Sequence, residues 1–441
     1  MEPYYETIDR PGWYRRFDGR RPPVITDGIR SFYENGVEVT DQIDRESSNE
    51  FNPPPSEPWD VTRYKKFQDL GKGTQASVGQ FRDLVDGREY AIKHYEIWVN
   101  TKELREKYTN EQREVYTKKL RDNVIREIAI MATLSCDPEA QPHMVRLIRW
   151  HETHEKLDDG SEKHDIRLVM YPVASELSLG DKLNAQFGSP TFQEIITQNF
   201  LEEALRDLTQ GLSLIHKHSV RHKDINAQNV VVNQLVSRLK VLYTDFGISL
   251  YFDPQASATG SSSTDNPTES TLYDNTYAAP ELLDGQPRST KSDVFSLGCV
   301  MWEILVARSV PVLRKKDYMN ATGFGDGWGY ERGEGYARML RDGSLPLAFR
   351  QMRAEEHMKE YHWIIDVIER MTKDNPDERL SASQVPGLVD AYTGWRDDKN
   401  MFISSEWDHK LFLIDSGGKS GTVQFTRRVG TREVIEEVYQ S

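Results

Sequence analysis

Residues 220–232, VRHKDINAQNVVV, set Asp224 and Asn229 five positions apart, with His222 just before them and an apolar run directly after. Shortly downstream, YTDFGIS carries Asp245. Two readings fit the first stretch: a solvated loop feeding a buried strand, or a place where a hydroxyl loses its proton beside a held metal. Phosphoryl transfer from ATP asks for three things: a carboxylate to orient the incoming hydroxyl and accept its proton, oxygen ligands for Mg2+, and donors for the charge spreading over the γ-phosphoryl group. Asp224 suits the first task. Asn229 and Asp245, hard oxygen donors of which one is neutral and one charged, suit the second.

These residues need a frame. Two short strands within VVVNQLVSRLKVL would return Asp245 to the side of the 220–229 loop. Far upstream, LGKGTQASV at 70–78 lies between two strand-like runs. There Gly71 and Gly73 would let the backbone approach a polyphosphate and offer N–H groups that a side chain would block. The third glycine of G-x-G-x-x-G is Ala76, and a plain glycine hairpin fits the stretch equally well. A strand follows rather than a helix, which excludes a dinucleotide-binding fingerprint.

The next strand contains AIK, with Ala91 and Lys93 on one face because side chains alternate along a strand. A lysine in a half-buried strand needs an acidic partner or a ligand phosphate. VIREIAIM supplies Glu127 on a helix whose Ile125, Ile128 and Ile130 would face the sheet. A Lys93–Glu127 ion pair would aim the ammonium at the α and β phosphates; two solvated charges are the plain alternative.

The chain has 441 residues, 37% of them hydrophobic and 10% aromatic, enough to bury a substantial core. Its net charge of −14 argues against a broad nucleic-acid surface, which needs clustered cations. The two cysteines, Cys136 and Cys299, sit in apolar helical patterns, so buried thiols are expected rather than a disulfide or zinc framework. The N-terminal MEPYYETIDRPGWYRR lacks an apolar signal core. No stretch approaches the ~20 apolar residues of a membrane span. An intracellular protein, cytoplasmic or nuclear, is the expectation.

Residues 1–60 hold GRRPPV and FNPPPSEP, a composition that suggests a partly extended tail. Tyr4, Tyr5, Trp13, Tyr14, Phe17, Phe32 and Tyr33 leave room for docking of that tail on the main body. Residues 61–173 read as sheet with one long helix, and 174–393 as mainly helical, with DVFSLGCVMWEILVAR apolar nearly all round as a buried helix would be. This is an α+β arrangement of two lobes. The extension at 394–441 mixes strand-like runs with TREVIEEVYQ, which suggests a final helix.

Taken in order, these motifs resemble a eukaryotic-type protein kinase over about residues 64–393. LGKGTQASV resembles the glycine-rich loop, AIK the strand lysine motif, HKDINAQN the catalytic loop H-R-D-x-x-x-x-N, and DFG is unaltered. YAAPELL matches the A-P-E segment through Ala279, Pro280 and Glu281. SDVFSLG is similar to the start of the large buried helix, and NPDERLSA supplies Arg379. The wording RHKDI is also similar to kinase-like proteins of filamentous fungi. The resemblance implies a bilobal kinase-like fold, with a small, mainly antiparallel β N-lobe holding one key helix and a larger helical C-lobe. It implies ATP and Mg2+ as cofactors and a protein as substrate. Leu70, Val78, Ala91 and Val231 would wall the adenine, with Gly71, Gly73 and Lys93 at the phosphates. Met170 would guard the back of the pocket, and Tyr171 and Val173 would offer hinge backbone groups around Pro172. Asp224 would be the base, Lys93 and Glu127 the paired charges, and Asn229 and Asp245 the metal ligands. Asp293 would brace the catalytic loop, and Arg379 would pair with Glu281.

The departures are informative. Lys223 replaces the usual arginine, and Asn226 stands where serine/threonine kinases carry a lysine directed at the γ-phosphate. Losing one such donor costs on the order of 10²–10³ in rate in other enzymes, so a slow kinase is expected. Asp274 falls where a bridging threonine is usual, unless Thr276 serves instead, and the sequence suggests that the two partners were exchanged as a unit. The hydroxyl-rich ASATGSSSTDNPTEST reads either as a surface loop or as a regulatory segment phosphorylated at Thr268, Ser270 or Thr271. Neither the tyrosine-kinase loop form nor its proline-containing docking segment is present, which favours serine or threonine as acceptor. Two rivals remain: a pseudokinase scaffold that binds ATP but mainly holds partners, and a small-molecule kinase of related fold, which the A-P-E segment and Arg379 disfavour. The oligomeric state is not encoded in these patterns.

Overall fold

The computed structural model describes residues 24–26, 29–34, 37–42, 59–73, 76–174, 178–188, 198–234, 239–252, 276–286, 288–309, 335–397, 411–413, 423–429 and 432–438. The chain forms two compact units that interleave in sequence: Met1–Lys182 with Lys217–Tyr273, and Leu183–His216 with Asp274–Ser441.

In the first unit, strands β1 (Val24–Thr26), β2 (Ile29–Glu34) and β3 (Val37–Gln42) form an antiparallel sheet inside the expected tail. Tyr4, Tyr5, Trp13, Tyr14 and Phe17 lie outside the described residues, as do the side chains of Phe32 and Tyr33. The main sheet has five antiparallel strands in the order β4-β5-β6-β8-β7. Their ranges are β4 Tyr64–Lys72, β5 Ala76–Asp83, β6 Glu89–Val99, β7 Arg146–Lys156 and β8 Glu162–Tyr171.

Alternation along β6 (EYAIKHYEIWV) divides its side chains between two faces. Tyr90 and Ile92 join Tyr64, Ile148 and Val169 in an apolar cluster to which Trp59, Phe81 and Tyr171 add. Trp59 stacks on Tyr64 at 4.8 Å, and the Arg167 guanidinium lies 4.5 Å from the Trp59 ring centre. Such aromatic and cation–π contacts are each worth about 0.5–1.5 kcal/mol beyond the buried area. They pin Trp59, which precedes β4, against the sheet. The opposite face of β6 carries Ala91, Lys93 and Tyr95.

Over β6 and β7 packs the helix α2, Asn110–Cys136, preceded by the short α1, Lys102–Lys107. Thr109 starts α2 with a capping box, its hydroxyl accepting from Gln112 N while the Gln112 side chain accepts from Thr109 N. Helical spacing then puts Val124, Glu127, Ile128, Met131 and Leu134 on the buried side. Ile128 and Ile130 are fully buried and Ile125 half so.

Residues 217–252 belong to this unit for identifiable reasons. Lys217 and His218 pair with Glu139 and Asp137, Thr133 meets Tyr251, and Val145 N donates to Tyr243 O. Two small ladders follow: β9 (Val220–Arg221) with β12 (Leu250–Tyr251), and β10 (Val230–Gln234) with β11 (Leu239–Tyr243). Each holds one end of the loops at 222–229 and 244–249.

The second unit is mostly helical. Its central helix, Thr290–Ser309, buries Val294, Phe295, Leu297, Val300, Met301, Trp302, Ile304 and Leu305, as its all-round apolar sequence predicts. Trp302 meets Phe349 edge-on at 4.9 Å, and the helix His362–Met371 packs alongside. Where TREVIEEVYQ suggests a helix, Arg432–Val438 is instead a strand, β15, paired antiparallel with β14 (Val423–Val429), which pairs in turn with β13 (Leu411–Leu413). Val434, Ile435 and Val438 are β-branched residues, which lose rotamer freedom in a helix and suit a pleated surface once a partner strand is present. Among the described residues no helix is long and apolar enough to cross a membrane.

Candidate functional site

The first unit brings together charged groups far apart in sequence. On β6, Lys93 stands opposite Val78 of β5 and Leu168 of β8. Its Nζ lies 2.7 Å from Glu127 Oε1 and 2.8 Å from Asp245 Oδ1. Burial works against the Lys93 charge, and the Glu127 carboxylate foremost outweighs it, holding the pKa well above the ordinary lysine range. Burial likewise pushes the Asp245 carboxyl up, but the adjacent Lys93 ammonium wins and it sits below its usual value.

Glu127 is 1% exposed and does not rely on Lys93 alone. The Tyr95 hydroxyl donates to Glu127 Oε2, so a third buried group completes the pair. Burial, with Glu127 close by, raises the Tyr95 pKa and keeps its proton available for that bond. Tyr95 was not among the expected site residues; alternation along the strand, two residues from Lys93, is the signal that marks it. Tyr95→Phe is expected to lower stability by about 1.5–3 kcal/mol, the range for a hydrogen bond to a charged group. Urea unfolding of the variant beside the wild type checks this, and a loss below about 0.5 kcal/mol would make the hydroxyl dispensable.

The 222–229 loop is organised by short-range bonds. His222, fully buried, has Nε2 at 3.1 Å from Thr244 O, and its Nδ1 accepts from Asp224 N at 3.3 Å. Both contacts agree with one tautomer, the proton on Nε2. The ring lies 4.9 Å from that of Phe246, and Ser249 Oγ donates to His222 O. The histidine thereby ties the loop to the DFG segment from both ends.

Asp224 projects between two amides. Asn229 Nδ2 donates to Asp224 Oδ2 at 2.7 Å and to its backbone O at 2.9 Å. Asn226 Nδ2 lies 3.2 Å from Asp224 Oδ1. Lys223 and Asp245 hold left-handed backbone conformations, φ 69° and 61°, which residues with a Cβ adopt at a cost and which concentrate at functional sites.

Could these residues hold Mg2+? With its nitrogen turned to Asp224, Asn229 keeps its amide oxygen for a ligand. Asp245 spends Oδ1 on Lys93 and on Gly247 N and is about half exposed. One neutral and one anionic oxygen match the preference of Mg2+ for one or two protein oxygens plus substrate phosphates. The donor set fits the ion.

Ala91 stands opposite Met170, both buried, and Gly71 stands opposite Val78. Gly73 N donates to Ala76 O across the loop tip, and Val231 forms a bridge with Ser178. Leu70 is exposed on β4. The Tyr171 ring turns to Tyr90 and Arg146, and the Tyr171–Pro172 peptide ahead of Val173 is cis. Asp274, Thr268, Ser270 and Thr271 lie outside the described residues. Within the second unit Arg379 forms a fork with Glu281, at 2.8 and 2.6 Å, and Asp293 meets His216 at 3.0 Å.

Residues 64–387 match the family described as "Protein kinase domain". The chain is 25% identical over 247 residues to serine/threonine-protein kinase Nek1 of Mus musculus, covering 55% of this chain and 16% of that protein. It is 26% identical over 242 residues to the cyclin-dependent kinase 4 homolog of Caenorhabditis elegans, covering 54% of this chain and 48% of the relative. It is 29% identical over 333 residues to mitogen-activated protein kinase HOG1 of Cryphonectria parasitica, 73% of this chain and 77% of that one. The match thus spans less than half of the first two relatives and most of the third.

Proposed function

Since the chain belongs to the protein kinase domain family, we propose that it transfers the γ-phosphoryl group of Mg-ATP to serine or threonine hydroxyls of a protein substrate, with Asp224 as base. The observation that carries this reading is the survival of the whole charged set in bonded order: Glu127 to Lys93 to Asp245, and Asn229 to Asp224.

Asp224 orients the acceptor hydroxyl and takes its proton as the hydroxyl oxygen bonds to the γ-phosphorus and the bond to the β-phosphate oxygen breaks, leaving ADP. Lys93, held by Glu127 and Tyr95, presents a fixed cation to the α and β phosphates. Asn229 and Asp245 would hold Mg2+, which when bound neutralises phosphate charge. The adenine would lie among Leu70, Val78, Ala91 and Val231, behind which stands Met170, with Tyr171 and Val173 offering backbone groups.

The rival, an ATP-binding scaffold without transfer, draws its support from Asn226 in place of a phosphate-directed lysine. One assay separates the two. Incubation with γ-labelled ATP, Mg2+ and a generic protein substrate is expected to give labelled phosphoserine or phosphothreonine. Nucleotide binding with no label above a magnesium-free control would favour the scaffold.

A further inference from the structure

Asn226 is 6% exposed and is bonded on both sides of its amide. Its Oδ1 accepts from Gln228 N at 2.9 Å and from Asn229 N at 3.0 Å, capping the short turn Ala227–Asn229. Its Nδ2 lies 3.2 Å from Asp224 Oδ1 and 3.3 Å from Asp224 O. The two backbone N–H groups decide which end of the amide is oxygen, so the nitrogen must face Asp224.

We propose that Asn226 is a positioning residue that clamps Asp224: one end of its amide braces the carboxylate directly, and the other end holds the turn that presents Asn229. This deepens the kinase reading and rests on it. The clamp acts on both carboxylate oxygens. Asn226 reaches Oδ1 itself, and by fixing Asn229 N it aims Asn229 Nδ2 at Oδ2. Donors on both oxygens stop the carboxylate from turning about its own axis, while each oxygen retains lone-pair capacity for an incoming hydroxyl. The loop has given up a cation aimed at phosphate and gained a neutral brace on the base.

A lysine cannot do this work. An ammonium carries three donors and no acceptor, so Gln228 N and Asn229 N would lose their shared cap. Restoring the family's usual residue therefore breaks the turn that holds Asn229, and Asn226→Lys is expected to slow transfer rather than speed it.

Four variants test the clamp on the full chain, with transfer from γ-labelled ATP as the readout and Asp224→Asn as the zero. Asn226→Ser keeps a neutral hydroxyl that can cap the turn but is too short to brace Asp224. Asn226→Asp keeps the cap and loses the donor. Both are expected to lower kcat on the order of 10- to 100-fold, the penalty of a misplaced reacting group; KM for ATP and the thermal midpoint should change little for the serine variant, while the aspartate variant also loses thermal stability because its carboxylate faces that of Asp224. Asn226→Ala is expected to lose both kcat and thermal stability, because cap and brace go together. A serine variant with wild-type kcat would overturn the clamp, since the cap alone would then suffice. So would an Asn226→Lys variant faster than wild type. A wild-type chain that transfers no more label than Asp224→Asn would instead overturn the kinase reading itself, and the clamp with it.

Discussion

Asp224→Asn is expected to lower kcat about 10²–10⁴-fold, the range over which a positioned acid or base contributes, while KM for ATP stays within about twofold. The asparagine has nearly the same shape but cannot accept the hydroxyl proton. It also turns one amide nitrogen toward Asn226 Nδ2 or Asn229 Nδ2, where the wild type offers carboxylate oxygens to both. Two facing donors disorder the side chain and add to the loss. The Glu127–Lys93–Asp245 chain keeps its own bonds in the variant, so nucleotide affinity should survive. Steady-state transfer together with equilibrium binding of ATP checks both halves. Should the asparagine variant keep more than about a tenth of wild-type kcat, another group must take the proton.

Arg379→Ala is expected to destabilise the second unit by about 3–5 kcal/mol, the cost of leaving one charge of a buried pair uncompensated. The Arg379 side chain is fully buried and that of Glu281 is 9% exposed. Every nitrogen of the guanidinium is engaged: Nε with Lys373 O, Nη1 with Glu281 Oε1 and Lys291 O, and Nη2 with Glu281 Oε2 and Asp374 O. Ser292 Oγ adds a donor to the same carboxylate. Lysine should rescue little, because a point ammonium cannot reproduce the planar fork or reach three separate carbonyls. The thermal midpoint is expected to fall on the order of 10 °C. If Arg379→Lys unfolds within about 2 °C of wild type, the fork geometry is not what matters.

The site was legible to the extent that its chemistry dictates residue types in order. Phosphoryl transfer needs a base, oxygen ligands and a phosphate-directed cation that cannot be replaced freely, so Asp224, Asn229, Asp245 and Lys93, to which the proposal gives these tasks, stood out along the chain. Glu127 stood out because helical spacing places it among apolar residues that must face a sheet. Tyr95 was hidden, since nothing local distinguishes a tyrosine that packs from one that bonds a carboxylate. Asn226 was visible as a missing lysine, and its bonds to Asp224, Gln228 and Asn229 were not. The segment 432–438 suggests a helix in isolation because its charged residues permit either state, and β14 supplies the partner that decides for a strand.

The α+β class and the buried helix at 290–309 were readable from the chain alone, as was the order of the residues proposed to react, because local periodicity and chemical necessity act on neighbouring residues. The tertiary structure decided the pairings: Lys93 with both Glu127 and Asp245, Trp59 stacked on Tyr64, and residues 217–252 packed with the first unit rather than the second. Each is a contact between positions whose proximity exists only once strands pair and helices pack. Asn226 joins both sets, its type readable from the chain and its work as a clamp readable only from the bonds at its two ends.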